Sequence, residues 1–175
     1  MNNDTKSAVE IERKYIIKMP DISVLLSQKD YTVSEILQIY LPSERGETRR
    51  VRRRVYNDRI LYIETKKIRI DIMSSEEIER EISKAEFDSL ALHPLDGTDP
   101  IHKNRHTFLY ADQLFEIDIY PQWQSTAIME TELPSREAEV KMPPFIEIIK
   151  EVTGIKAYSN ASMAHIFPPE EKTQS

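Results

Sequence analysis

Charge recurs with a period of two along this chain, in segment after segment, and no other property of the sequence restricts the fold so strongly. In VEIERKYII, residues 9–17, Glu10, Glu12 and Lys14 alternate with Val9, Ile11 and Arg13. A strand points successive side chains to opposite faces, so the two carboxylates and the amine share one face. Arg50, Arg52 and Arg54 share a phase in the same way. So do Tyr62, Glu64 and Lys66, then Glu79 and Glu81, Lys103 and Arg105, Glu116 and Asp118, and Glu130 and Glu132. Each strand taken alone is best explained as half-buried with a wet outer face. Together they carry more like charge in one phase than an open sheet facing water needs. A closed barrel can turn such a phase inward around a cavity, with the apolar phase outside beneath helices.

The remaining segments fit many antiparallel strands with a few helices, an α+β chain. ISVLLSQ after Pro20-Asp21 reads as a short helix, Lys29-Asp30 as a turn, and residues 34–41 as a strand. Asn57-Asp58 and Ala111-Asp112-Gln113 read as hairpin connections. Ser83 followed by Glu86 has the form of a capping box, opening a helix whose apolar stripe is Phe87, Leu90 and Ala91. REAEVK after Ser135, and FIEIIKEV up to Gly154, read as two further helices, the second covering the barrel. The final PPEEKTQS reads as a frayed tail.

With 175 residues and no linker or repeat, the chain reads as one domain over residues 9–165, with a flexible N-terminus at 1–8 and a tail at 166–175. The absence of cysteine removes disulfides, thiolate nucleophiles and Cys-based metal sites. A net charge of −6 argues against a general nucleic-acid binder. No apolar run is long enough to span a membrane, and MNNDTKSA lacks the regions of a signal peptide. The expected location is cytoplasmic, and a homodimer is compatible with all of this.

A cavity walled by like charges is costly unless filled. Pairs of basic residues call for a polyanion. Pairs of carboxylates call for a cation, and a hard one such as Mg²⁺ takes oxygen ligands together with substrate phosphates. The two requirements meet in a metal–polyphosphate complex. No Gly-rich phosphate loop is present, so Arg and Lys side chains would grip the phosphates.

The ordered set of these elements resembles the CYTH domain, or triphosphate tunnel metalloenzyme, family. The matching residues are the ExExK strand Glu10, Glu12, Lys14; Gln38-Ile39-Tyr40-Leu41; Arg50-Val51-Arg52; and the lysine Lys66. They continue with Glu79 and Glu81, Lys103 and Arg105, Glu116 and Asp118, Glu130 and Glu132, then VTG at 152–154 with Tyr158 and Asn160. The chain departs from the family pattern at Lys67, where a small residue is usual, at Glu77, where an arginine is usual, and at Ser162. The resemblance, strongest to the small bacterial inorganic triphosphatase branch, implies an eight-stranded antiparallel β-barrel tunnel with a charged interior, flanked by helices.

It also implies roles. Arg50, Arg52, Lys66, Lys103 and Arg105 would bind substrate phosphates. Glu10, Glu12, Asp118, Glu130 and Glu132 would serve Mg²⁺ or Mn²⁺, with Glu79, Glu81 and Glu116 as further tunnel carboxylates. Lys14 and Tyr40 would form a catalytic pair. The implied activity is metal-dependent hydrolysis of tripolyphosphate or an organic triphosphate. The alternatives are a cyclase making cyclic AMP and pyrophosphate from ATP, and a polyphosphate- or nucleotide-binding module without turnover. Arg49 and Arg53 read as surface residues, and phase alone leaves Arg54 open.

Overall fold

Two dipeptides in the left-handed region set the register of the sheet. Asn57-Asp58 (φ 46° and 59°) and Ala111-Asp112 (φ 49° and 62°) each close a two-residue hairpin, the connection whose twist matches that of the flanking strands. A computed structural model describes residues 6–172. Its strands are β1 (Lys6–Lys18), β2 (Lys29–Leu41), β3 (Glu47–Tyr56), β4 (Arg59–Arg69), β5 (Ser74–Glu81), β6 (Ile101–Tyr110), β7 (Gln113–Ile119), β8 (Thr126–Glu132) and β9 (Ile148–Glu151). The helices are α1 (Ile22–Leu26), α2 (Lys84–Ala91) and α3 (Asn160–His165). The readings of residues 1–5 and 173–175 lie outside the described residues.

The strands run in the order β5-β4-β3-β2-β6-β7-β8-β1, and β1 pairs back to β5, so eight antiparallel strands close into a barrel. The long β1 makes the closure. It pairs with β8 on one edge through Glu12–Lys18, and on the other edge with β5 through Lys6–Ile11. Beyond Ile11 that second edge passes to β9 at Tyr15–Ile17. FIEIIKEV is therefore a turn followed by a strand, not a helix. Its β-branched Ile148 and Ile149 complete an edge that would otherwise leave backbone groups unpaired. REAEVK forms no helix either. Lys29-Asp30 lies inside β2, where Asp30 (φ 53°) marks a bulge, not a turn between elements.

The outer apolar phase is covered as the alternation requires. Phe87, Leu90 and Ala91 of α2 pack on Leu41, Val51 and Ile82, and the Ser83 hydroxyl caps the helix by accepting from the Glu86 amide at 3.1 Å. Phe145 and Ile146 pack against Tyr15, Ile17, Phe108 and Phe115. The interior phase changes character along the barrel axis. At one end Ile16, Tyr40, Ile101, Tyr120 and Ile128 form an apolar closure, joined by Trp123, Tyr158 and Met163. The segment after α3 is docked over this end. Phe167 packs on Tyr120 and Trp123, the Trp123 indole donates to the Pro168 carbonyl at 3.1 Å, and the Glu170 carboxylate accepts from the Ser125 and Thr126 amides. Toward the other end the interior is charged. Among the described residues no helix is long and apolar enough to cross a membrane.

Candidate active site

The register decides which charges share the barrel interior. Glu12 lies opposite Glu132 and Lys14 opposite Glu130; Glu116 lies opposite Glu130; Arg50 lies opposite Tyr40 and Arg52 opposite Gln38. Partners across a ladder point to the same face. These side chains therefore meet inside, as the alternation predicts.

Two walls result. On the first, Lys14 binds Glu130 at 2.7 Å. Arg105 reaches Glu130 at 3.0 Å, clasps both oxygens of Asp118 at 2.7 Å, and also pairs with Glu116. Lys103 binds Asp118 at 2.5 Å with both side chains almost fully buried. On the second, Arg52 pairs with Glu79 and donates to the Thr65 hydroxyl at 3.2 Å, while Arg50 reaches Glu77 at 3.4 Å. Tyr40 is buried beneath them, its hydroxyl accepting from Gln38 Nε2 at 3.0 Å. The Nε atoms of Arg50 and Arg52 are buried without a partner. A buried donor without an acceptor costs on the order of 1–3 kcal/mol, so these guanidinium edges keep donor capacity for a bound anion, next to Gln38 Oε1, which lies opposite Arg52 and is also buried without a partner.

The electrostatics follow from crowding. Burial opposes the charge on Lys14, but Glu130 and Glu12 outweigh it and hold the pKa up at about 12. Burial, then the neighbouring Arg50, pushes Arg52 down to about 10. Burial and Arg105 push Lys103 down to about 8 despite Asp118. Burial, then the charge of Glu77, pushes Glu10 up to about 7 even with Lys67 nearby. Glu132 is raised by burial and by Glu116 and Glu12. Burial would raise Glu77, but Arg50 and Lys67 overcome it and hold the carboxyl at about 2.

Lys103 supplies a pH test. Its folded pKa near 8 lies below the ordinary 10.5, so between these values the unfolded chain binds more protons and stability rises with pH. Relative to Lys103→Met, the wild-type urea midpoint should rise from pH 8 to 10. A constant difference would place the ammonium in an ordinary environment.

The carboxylates Glu12, Glu116, Glu130 and Glu132 line one small pocket. Their donors are all oxygen, the kind that Mg²⁺ and Mn²⁺ take, and the carboxyls of Glu132 and Glu10 are raised first by burial and then by neighbouring carboxylates, both of which a cation would offset. The residues fit such an ion in donor type and charge. Among the described residues no three carboxylates or imidazoles converge into a ligand set as they stand, because Glu130 and Glu116 are turned to Lys14 and Arg105. Asp118 differs from the other metal candidates. Both its oxygens are engaged by Lys103 and Arg105, which makes it the anchor of two interior cations.

One expected site residue lies elsewhere. Lys66 is opposite Arg49 and Ile78 on the outer face, with 48% of its side chain exposed. Lys67 is the lysine inside, bound to Glu77 at 2.6 Å. On β4 it is the outer phase that carries Tyr62, Glu64 and Lys66, and there Glu64 is clamped between Arg49 and Arg80. Charge therefore misidentifies the inner face of this strand. Glu77, noted in the sequence only as a departure, is its interior partner, and the two departures form one ion pair. Lys67→Ala should weaken binding of tripolyphosphate, as a probe anion, by about 10-fold or more, the scale of one charge-assisted hydrogen bond, whereas Lys66→Ala should stay within about 2-fold. The reverse order would place Lys66 inside. Glu79 lies in the interior with Arg52, and Glu81 shares its phase at the exposed end of β5.

A family model described as CYTH domain matches residues 8–164. No curated protein matches the chain. Among solved structures, the inorganic triphosphatase NE1496 is similar at 26% identity, covering 92% of this chain and 97% of that one with a TM-score of 0.56. The PH1819 protein from Pyrococcus horikoshii OT3 is similar at 18% identity, covering 73% and 80% with a TM-score of 0.55. A Pyrococcus furiosus protein is similar at 22% identity, covering 73% and 80% with a TM-score of 0.51. The last two likenesses are of fold alone.

Proposed function

Since the chain belongs to the CYTH domain family, we propose that it is a divalent-metal-dependent triphosphatase acting on inorganic tripolyphosphate or an organic triphosphate inside the barrel. The observation that carries this reading is the pair of buried, partnerless Nε atoms of Arg50 and Arg52, in the same interior as the carboxylate pocket of Glu12, Glu116, Glu130 and Glu132. The similarity to NE1496, an inorganic triphosphatase, points the same way.

In the substrate-free protein the cations and carboxylates neutralise one another. Substrate exchanges those partners. Phosphate oxygens take Arg50, Arg52, Lys67 and Arg105, whose forks and ammonium suit them. Glu12, Glu130 and Glu132 would hold a divalent ion, which would supply positive charge to offset that of the substrate. Asp118 keeps Arg105 and Lys103 aimed inward throughout. Lys14 remains protonated at neutral pH, so its Nζ can donate to an oxygen gaining charge as the phosphoanhydride breaks. Tyr40, buried and with its pKa raised by burial, stays neutral. It acts as a hydrogen-bonding floor beneath Arg50, not as a base. Water oxygen bonds to the terminal phosphorus, the bond to the bridging oxygen breaks, and tripolyphosphate yields pyrophosphate and orthophosphate.

The test is orthophosphate release from tripolyphosphate, ATP and thiamine triphosphate with Mg²⁺ or Mn²⁺, alongside cyclic AMP detection. Metal-dependent phosphate release supports the reading. Cyclic AMP formation from ATP, or tight binding without turnover, overturns it.

A further inference from the structure

β3 carries one more inward arginine than the triphosphate grip uses. Arg54 lies opposite Ile36 and Leu61, in phase with Arg50 and Arg52. Its Nε donates to the Ser34 hydroxyl at 2.9 Å, and Ser34, opposite Arg105 on β6, is buried in the interior phase. The guanidinium lies 5.7 Å from the Tyr56 ring centroid, a cation–π distance.

What separates Arg54 from the other interior cations is its lack of a countercharge. Lys14, Arg50, Arg52, Lys67, Lys103 and Arg105 each have a carboxylate within 4.0 Å. Among the described residues Arg54 has none, and its terminal nitrogens are left for an anion. Two strands over, on β6, the Thr107 hydroxyl is buried in the same interior phase without a partner. Both groups lie toward the end of the barrel away from the apolar closure formed by Ile16, Tyr40 and Ile101.

Length gives the meaning. In-phase residues of a strand stand about 6.6 Å apart, so Arg50, Arg52 and Arg54 span roughly 13 Å of wall. Phosphorus atoms joined by single bridging oxygens are more closely spaced than the arginines. Three phosphates held by Arg50 and Arg52 therefore end before Arg54.

We propose that Arg54 is a further phosphate-binding residue that takes the fourth and later phosphates of a linear polyphosphate, making chains longer than three preferred substrates of this site. The inference rests on the triphosphatase reading and extends it to substrate length. Hydrolysis of tetrapolyphosphate then yields tripolyphosphate and orthophosphate, by the same breakage of a terminal phosphoanhydride.

The experiment compares kcat/KM for linear tetrapolyphosphate and tripolyphosphate in wild type, Arg54→Gln and Arg54→Lys, with calorimetric binding of both anions and melting curves for each variant. Arg54→Gln should lower the tetra-to-tri ratio by about tenfold or more, as expected for loss of one charge-assisted contact. Arg54→Lys, with its charge but not its fork, should fall between. A ratio equal to wild type in both folded variants overturns the proposal, whether activity drops on both substrates or on neither. Wild-type protein that binds the anions without turnover overturns the triphosphatase reading alone, and the ratio of dissociation constants then decides the role of Arg54. Wild-type protein that binds neither anion overturns both.

Discussion

Replacing Glu130 and Glu132 together by Gln is expected to lower metal-dependent turnover by at least about 10³-fold, as for loss of a principal electrostatic element of an active site. The two residues share a strand, a phase and a pocket with Glu12 and Glu116, but they differ in what else they hold. Glu130 binds Lys14 at 2.7 Å and Arg105 at 3.0 Å, so its loss also frees two buried cations. Glu132 forms no ion pair among the described residues, and burial with Glu116 and Glu12 raises its pKa. A carboxyl whose pKa is higher in the folded than in the unfolded state costs stability once pH exceeds the unfolded value. Glu132→Gln alone should therefore leave the metal-free protein as stable or slightly more stable at neutral pH, while weakening Mn²⁺ binding measured by titration. Retained turnover in the double variant, or unchanged Mn²⁺ affinity in the single one, would remove these carboxylates from the metal site.

Asp118→Ala should have the largest effect on stability. Asp118 is about 1% exposed and binds Lys103 and the Nε–Nη2 edge of Arg105. Removing it takes from Lys103 its carboxylate partner among the described residues and from Arg105 one of three. Breaking a buried ion pair from one side costs about 3–5 kcal/mol, which for a chain of this size lowers Tm by roughly 6–20 °C. Asp118→Asn keeps two acceptor lone pairs and the volume, so it should lose less. A melting temperature within about 2 °C of wild type for the alanine variant would mean that Lys103 is solvated or re-paired, contrary to its burial.

Much of the barrel was legible because its strands carry a chemical asymmetry between faces. β1, β7 and β8 each place carboxylates in one phase and largely apolar residues in the other. Glu10, Glu12, Glu116, Glu130 and Glu132 could thus be grouped before any pairing was known. The Asn57-Asp58 hairpin was legible for a similar local reason, since Asn and Asp tolerate positive φ; the second connection is one residue shorter than Ala111-Asp112-Gln113, because Gln113 already pairs with Tyr110, and Ala111 gives no such local signal. β9 was not legible. FIEIIKEV has apolar spacing that suits a helix or a strand, and the choice lies with the open edge of β1 beyond Ile11, which its own residues do not reveal.

β3 and β4 mark the boundary most clearly. β3 is basic in both phases and β4 is charged on the outside, so alternation assigns an inner face to neither. The lysine dipeptide Lys66-Lys67 offers a candidate in each phase, and a shift of one residue exchanges inside for outside. Pairing with β3 and β5 resolves it, because Thr65 and Lys67 stand opposite Arg50 and Glu77. The same pairing turns Arg54 inward.

The sequence by itself carried the alternation and the density of like charge in one phase, which point to a closed sheet with an interior rich in both signs of charge; a polyanion with a hard cation is the filling proposed for such an interior. Those follow from side-chain periodicity and the cost of crowding like charges, which are local properties. The tertiary structure alone decided that Lys67 faces in, that Asp118 anchors cations, that one end of the barrel is closed by packed aromatics, and that Arg54 faces in with no countercharge. Each of those depends on which strand lies beside which, and strand pairing is a long-range contact that no single stretch of chain encodes.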